Sequence, residues 1–230
     1  MSTTTGTAMA SLIASLADNK AALGRRYADW AVSAPTLESA VAAAAMAQDE
    51  LGHARSTYPV LKALGTETDE VSGGDRHLAL LDEDLPDWNA FIAANLLVDG
   101  VLTTFVAACV DSSVEQMAAR AKKILQEEGS HRVHGEAWAK RLCRDEAQRD
   151  AFVARLQETW AEASRWLGPD DDPAYAAALE AGEVKHGPAD QRELMRSWLT
   201  GLLAAEGVEI ALAEPADWAR WDPERRRLEP

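Results

Sequence analysis

Gln48-Asp49-Glu50-Leu51-Gly52-His53 and Glu127-Glu128-Gly129-Ser130-His131 are the two stretches whose reading decides the fold. Each contains Glu-x-x-His on the apolar stripe of a segment with helical spacing. Around the first pair the inward positions are Ala43, Met46, Glu50, His53, Thr57, Val60 and Leu64; around the second they are Met117, Ala121, Ile124, Glu128, His131, Gly135, Trp138 and Leu142. A carboxylate and an imidazole three positions apart leave a helix on one side, so both pairs face the core. The spacing alone is unspecific in a chain with 38 acidic residues and five histidines. Glu183-Val184-Lys185-His186 shares it, but lies between Gly182 and Gly187-Pro188, where breakers oppose a long helix. That copy reads as accidental.

Outward from these stretches, Ala, Leu, Glu and Arg dominate and no segment alternates with period two, which predicts an all-α chain. Helix one is expected from about Ala8 to Ser33, and Pro35 helps start helix two, which continues to about Gly65. The polar stretch from Thr66 to Pro86 reads as a long crossover. Asp87 is placed to cap helix three, reaching about Val110, and Ser113-Val114-Glu115-Gln116 fits a capping box opening helix four, which runs to about Cys143. A fifth helix is expected from Asp145 to Leu167, a linker at Gly168-Pro169-Asp170-Asp171-Asp172-Pro173, a short helix at 174–181 and a longer one from Ala189 to about Ala213. The tail from Glu214, with Trp218 and Trp221, has no clear period and is expected to pack on the bundle or on a partner. Two hairpins joined by one crossover make a ferritin-like four-helix bundle, with core bundle 8–143, additional C-terminal helices 144–213 and tail 214–230 in a single domain.

The chain has 230 residues, 47% of them hydrophobic, which is ample for a buried core. A net charge of -15 argues against nucleic-acid partners and anionic membranes. Two cysteines, Cys109 and Cys143, lack metal-type spacing and imply no disulfide framework. No basic-then-apolar leader and no run of about 18 apolar residues is read, so the expected location is the cytoplasm.

Helix three is apolar around Asp99, where a carboxylate must be paired, protonated or metal-bound. Helix one reads Ile13, Leu16, Lys20, Leu23, Tyr27 and Trp30, so its inward charge is a lysine. Clustering carboxylates without compensation is unfavourable, which points to a metal at Glu50, His53, Asp99, Glu128 and His131. The alternative is a metal-free buried salt-bridge network holding the bundle in register. His134 is expected beside the site or on the surface, and Glu127, about 100° away from Glu128, in solvent.

The motifs Gln48-Asp49-Glu50-Leu51-Gly52-His53, Leu97-Val98-Asp99-Gly100 and Glu127-Glu128-Gly129-Ser130-His131 resemble the iron-binding segments of the catalytic A subunit of bacterial ring-1,2-phenylacetyl-CoA epoxidase. Leu16-Ala17-Asp18-Asn19, Leu23-Gly24-Arg25-Arg26 and the run from His131 through Trp138 to Leu142 are similar to its structural C subunit, which has no working iron site. The resemblance implies a multicomponent di-iron oxygenase of phenylacetic acid catabolism, with iron, one or two per chain, or another divalent metal on the residues above. It departs at Lys20, which falls where the catalytic subunit has its helix-one glutamate ligand. Glu50, Asp99 and Glu128 supply -3 and a protonated Lys20 adds +1, a balance that disfavours two cations and leaves the Asp99 side for one.

Two readings follow. In the first the chain is a non-haem iron oxygenase acting on an aromatic or acyl-thioester substrate, with Lys20 tuning charge or delivering a proton. In the second it is a metal-free structural subunit partnering a catalytic A-type chain; an iron-storage protein fits the length less well. A homodimer or a heterodimer with an A/C-type subunit is expected. No flavin, nicotinamide or iron-sulfur motif is found, so an oxygenase of this kind requires a separate reductase.

Overall fold

A computed structural model describes residues 5–64 and 75–229, and among them seven helices account for nearly all regular structure. They are α1 (Thr5–Trp30), α2 (Leu37–Ala63), α3 (Trp88–Ala108), α4 (Glu115–Arg144), α5 (Arg149–Ala163), α6 (Pro173–Glu180) and α7 (Pro188–Ala204). The architecture is all-α and consistent with a ferritin-like bundle in which α1 packs most extensively on α2, and α4 contacts both α2 and α3. Thr36 caps α2 by accepting from Ser39 N at 3.2 Å, and Asp87 caps α3 by accepting from Ala90 N at 2.7 Å. Pro59 lies inside α2 without ending it. It is exposed, and the flanking buried Tyr58, Val60 and Leu61 hold the helix to the core.

Several boundaries differ from the sequence expectation. Part of the crossover, residues 65–74, lies outside the described residues; from residue 75 the chain turns through Ala79–Leu81 and buries Leu78, Leu81 and Leu85. The capping box before α4 is not made. Val114 is the N-cap, with no side-chain bond, while Ser113 is drawn to the loop after α6, its N on Gly182 O at 2.9 Å and its Oγ on Ala181 O at 2.9 Å. The last long helix stops at Ala204, not near Ala213, because Gly207 turns the chain in the left-handed region (φ 73°).

Helix α3 is long and apolar enough to cross a membrane by composition, contrary to the expectation that no such segment exists. In this fold 78% of its apolar window is buried inside the molecule, which accounts for the composition as a core helix. Ala94–Asp99 within it is π-helical, a widened turn that hydrophobic periodicity does not reveal. It ends on Asp99.

The tail folds into a 3-10 turn, Trp218–Arg220, and a small antiparallel hairpin pairing Trp221 with Leu228 and Asp222 with Arg227. Arg226, at its tip, is fully buried. Its guanidinium bonds Asp172 Oδ2 at 3.1 Å and the carbonyls of Trp166 and Leu167 at 2.7 and 2.8 Å, against the faces of Trp166, Tyr175 and Trp221.

Candidate metal centre

Four helices each send ionisable side chains to one point in the bundle. Lys20 comes from α1, Glu50 and His53 from α2, Asp99 from the π segment of α3, and Glu128 and His131 from α4. None is more than 4% exposed. Glu50, Asp99, Glu128 and His131 each offer a ligand atom within 4.8 Å of the others. His53 stands outside that group, its ring centroid 6.4 Å from that of His131.

Lys20 sits among the carboxylates. Its Nζ lies 3.0 Å from Glu50 Oε1, 2.7 Å from Asp99 Oδ1 and 2.5 Å from Glu128 Oε1. Burial opposes the ammonium, but Asp99, Glu128 and Glu50 outweigh it and hold the lysine pKa well above its usual value. Lys20 is therefore a fixed cation.

On the other side of the carboxylates His131 Nδ1 stands 3.0 Å from Asp99 Oδ2 and 3.4 Å from both Glu50 Oε1 and Glu128 Oε2. Ligand atoms bound to one cation at about 2.1 Å are roughly 3.0–3.4 Å apart in octahedral or tetrahedral geometry, so His131 Nδ1 stands from each carboxylate as ligands sharing one cation do. The same separations suit an imidazolium. Burial opposes that charge, but hydrogen bonds to Asp99, Glu128 and Glu50 push the His131 pKa far up. A proton and a divalent cation thus compete for one position.

Each imidazole is held from outside by the acid preceding the other helix's glutamate. His131 Nε2 meets Asp49 Oδ2 at 3.3 Å, and His53 Nε2 meets Glu127 Oε2 at 2.7 Å, while His53 Nδ1 faces Glu128 Oε1 at 3.3 Å. Carboxylates in this position fix a ligand histidine's tautomer and orientation. Glu127 is thus not simply solvated, as its angle to Glu128 had suggested; it is half-exposed and reaches across to α2. Glu50 is raised to about 8, by burial first and by Asp99 next. Its Oε2 is buried without a hydrogen-bond partner. Glu128 is held well below the usual carboxylate range, since Lys20 and both histidines outweigh its burial. Tyr27 OH lies 3.5 Å from Asp99 Oδ2 and 3.4 Å from Asn95 Nδ2, and burial holds it in the protonated form.

His134 packs edge-on to Trp88 and Phe91, away from the ligand set, and burial lowers its pKa. Glu183 and His186 fall in the non-helical connection between α6 and α7, apart from this centre. Asp49, Glu127, Tyr27 and Asn95 were not among the predicted site residues. The acid doublets Asp49-Glu50 and Glu127-Glu128 carried the signal for the first two; Tyr27 and Asn95 look like ordinary core positions.

A cavity of about 340 Å³ reaches the centre from the Asp99 side. It runs between α3 (Asn95, Asp99, Thr103) and α7 (Leu194, Met195, Trp198) and ends at Glu128 and His131. Lys20 and His53 do not line it.

The model of the family described as phenylacetic acid catabolic protein matches residues 1–228. The chain belongs to that family. No curated protein matches it. Membership places the chain in phenylacetate catabolism, and its buried Glu, Asp and His cluster is compatible with a metal site. The orphaned Glu50 Oε2 and the spacing around His131 Nδ1 suit one divalent cation. With Lys20 protonated, one dication brings Glu50, Asp99, Glu128 and Lys20 to zero, whereas two leave +2 in a buried site.

Proposed function

We propose that this chain is an oxidoreductase of phenylacetate catabolism with a mononuclear iron centre, oxygenating an aromatic or acyl-thioester substrate. The observation that carries the reading is the 340 Å³ cavity, which ends at the cluster on the side where His131, Asp99, Glu50 and Glu128 have cation spacing. These residues would hold the iron, and His53 Nδ1 faces Glu128 Oε1 at 3.3 Å. Bound iron supplies the one-electron chemistry that reaction with O2 requires.

The chain's own groups do the rest. Lys20 Nζ takes the place of a second cation, fixing Glu50 Oε1, Asp99 Oδ1 and Glu128 Oε1, and holds a proton at the cluster. Asp49 and Glu127 keep the imidazoles turned inward. Leu194, Met195 and Trp198 close the cavity over a bound substrate and displace water from the cluster. Electrons come from a separate reductase, and assembly as a homodimer or with an A/C-type subunit in the cytoplasm completes the reading.

Lys20 itself favours a second reading. Protons on Glu50 and His131, with Lys20, neutralise the cluster without metal, as in a structural subunit that organises a catalytic partner. Metal analysis of protein purified without chelator, followed by anaerobic Fe(II) titration and oxygen-uptake assays, tests the two. One iron per chain with substrate-dependent oxygen uptake is the expected result. A metal-free chain that takes up no iron, and co-purifies with a catalytic subunit, replaces it with the structural reading.

A further inference from the structure

A second cavity, about 210 Å³, lies against His53. Arg55 on α2 and Arg120 and Lys123 on α4 line it, together with Gln48, Ser56 and Gly52. Among the described residues none of these three makes an ion pair or a side-chain hydrogen bond. Two acids also line the cavity, and both are engaged elsewhere: Glu127 Oε2 with His53 at 2.7 Å and Asp49 Oδ2 with His131 at 3.3 Å. Arg120 Nε is shut off from water and has no acceptor. A solvated basic face keeps its donors in water. A donor that is buried and unmet costs free energy unless something supplies the acceptor.

We propose that this cavity is a binding site for a small oxyanion, a phosphate group, gripped by Arg120 and flanked by Arg55 and Lys123. Guanidinium donors match the oxygen spacing of phosphate in two parallel hydrogen bonds, and lysine adds a point charge. The volume falls below the roughly 300–1,000 Å³ of drug-sized ligand pockets, which suits phosphate or a short phosphoester. It lies apart from the 340 Å³ cavity, shares only Asp49, His53 and Glu127 with the centre's surroundings, and does not depend on whether the cluster takes a metal.

Isothermal titration of the full chain with inorganic phosphate and with glycerol 3-phosphate, at fixed ionic strength in chloride, tests this. Saturable one-to-one binding is expected, weakened about tenfold or more by Arg120→Met and several-fold by Arg55→Met or Lys123→Met. Lys122→Met, outside the cavity, removes the same charge and is expected to leave affinity unchanged. Arg55 and Lys123 are exposed, so their variants keep the test valid even where Arg120→Met folds poorly. Tighter binding of the ester identifies a phosphoester ligand, and equal binding identifies free phosphate. Absence of saturable binding, or equal losses in Lys122→Met and the cavity variants, overturns the site.

Discussion

Lys20 decides what the cluster can hold, because three buried carboxylates meet its ammonium within 3.0 Å. Removing it without a replacement cation leaves Asp99 and Glu128 facing the His131 imidazolium alone, one buried negative charge uncompensated. Lys20→Met is therefore expected to destabilise the metal-free protein by about 3–5 kcal/mol, read by urea denaturation, with recovery when divalent metal is added. Lys20→Glu restores a fourth carboxylate and is expected to bind two metals where wild type binds one. Equal stoichiometry in the two proteins would show that Lys20 does not compete for a cation position. Protons compete as well. Glu50, raised to about 8 against an ordinary 4.5, is neutral in the folded, metal-free chain; its contribution to stability is complete below about 4.5 and is lost as pH rises through about 8. Metal must displace that proton and the one on His131, whose pKa lies far higher. Metal affinity should thus climb steeply with pH up to about 8, with two protons released, and less steeply above it, with one. Calorimetry in buffers of different ionisation enthalpy counts those protons, and a count independent of pH would rule out Glu50 as a ligand.

At the scale of the helix, the π segment of α3 and the close approach of α4 set the position of Asp99. Gly135 on α4 lies one turn beyond His131 and faces this segment; a Cβ there would collide with Asn95 Oδ1 and come within 2.9 Å of Leu96 Cδ2. Gly135→Ala is expected to push α4 away from α3, lowering Tm and weakening metal binding more than Gly129→Ala, where a Cβ meets nothing within 4 Å. Equal effects on metal affinity in the two variants would separate helix spacing from the site. The periodicity of α2 and α4 made the inward pairs at Glu50, His53, Glu128 and His131 legible from sequence, since burial of one face imposes that pattern. The π turn was not legible, because a single widened turn inside an apolar helix leaves no periodic trace. Nor was the loss of the capping box before α4, where Ser113 is taken by a loop some 68 residues away in sequence.

Over the whole molecule, the C-terminal third was the least legible in sequence, because contacts distant along the chain fold it. Gly168-Pro169-Asp170-Asp171-Asp172-Pro173 reads as a linker by composition, yet two arginines from different elements hold it. Arg226 of the tail hairpin takes Asp172 and the carbonyls of Trp166 and Leu167, and Arg192 of α7 donates to Gly168 O at 2.7 Å. Arg192 shares its helix with Leu194, Met195 and Trp198, the wall of the 340 Å³ cavity, so the tail supports that wall through the linker. Arg226→Met strands a buried Asp172 and two carbonyls, and is expected to cost about 3–5 kcal/mol. Arg220→Met, an exposed change in the same tail, should cost well under 1 kcal/mol. Because α2, α3 and α4 supply the ligands and α1 the Lys20 that flanks them, Arg226→Met should leave metal stoichiometry unchanged while weakening binding of a substrate-sized aromatic thioester in the cavity. Denaturant melts, metal analysis and ligand titration on one preparation read the three quantities separately. A variant that loses metal and stability together would show instead that the tail and the four helices around the centre form one cooperative unit, with no independent support of the cavity wall.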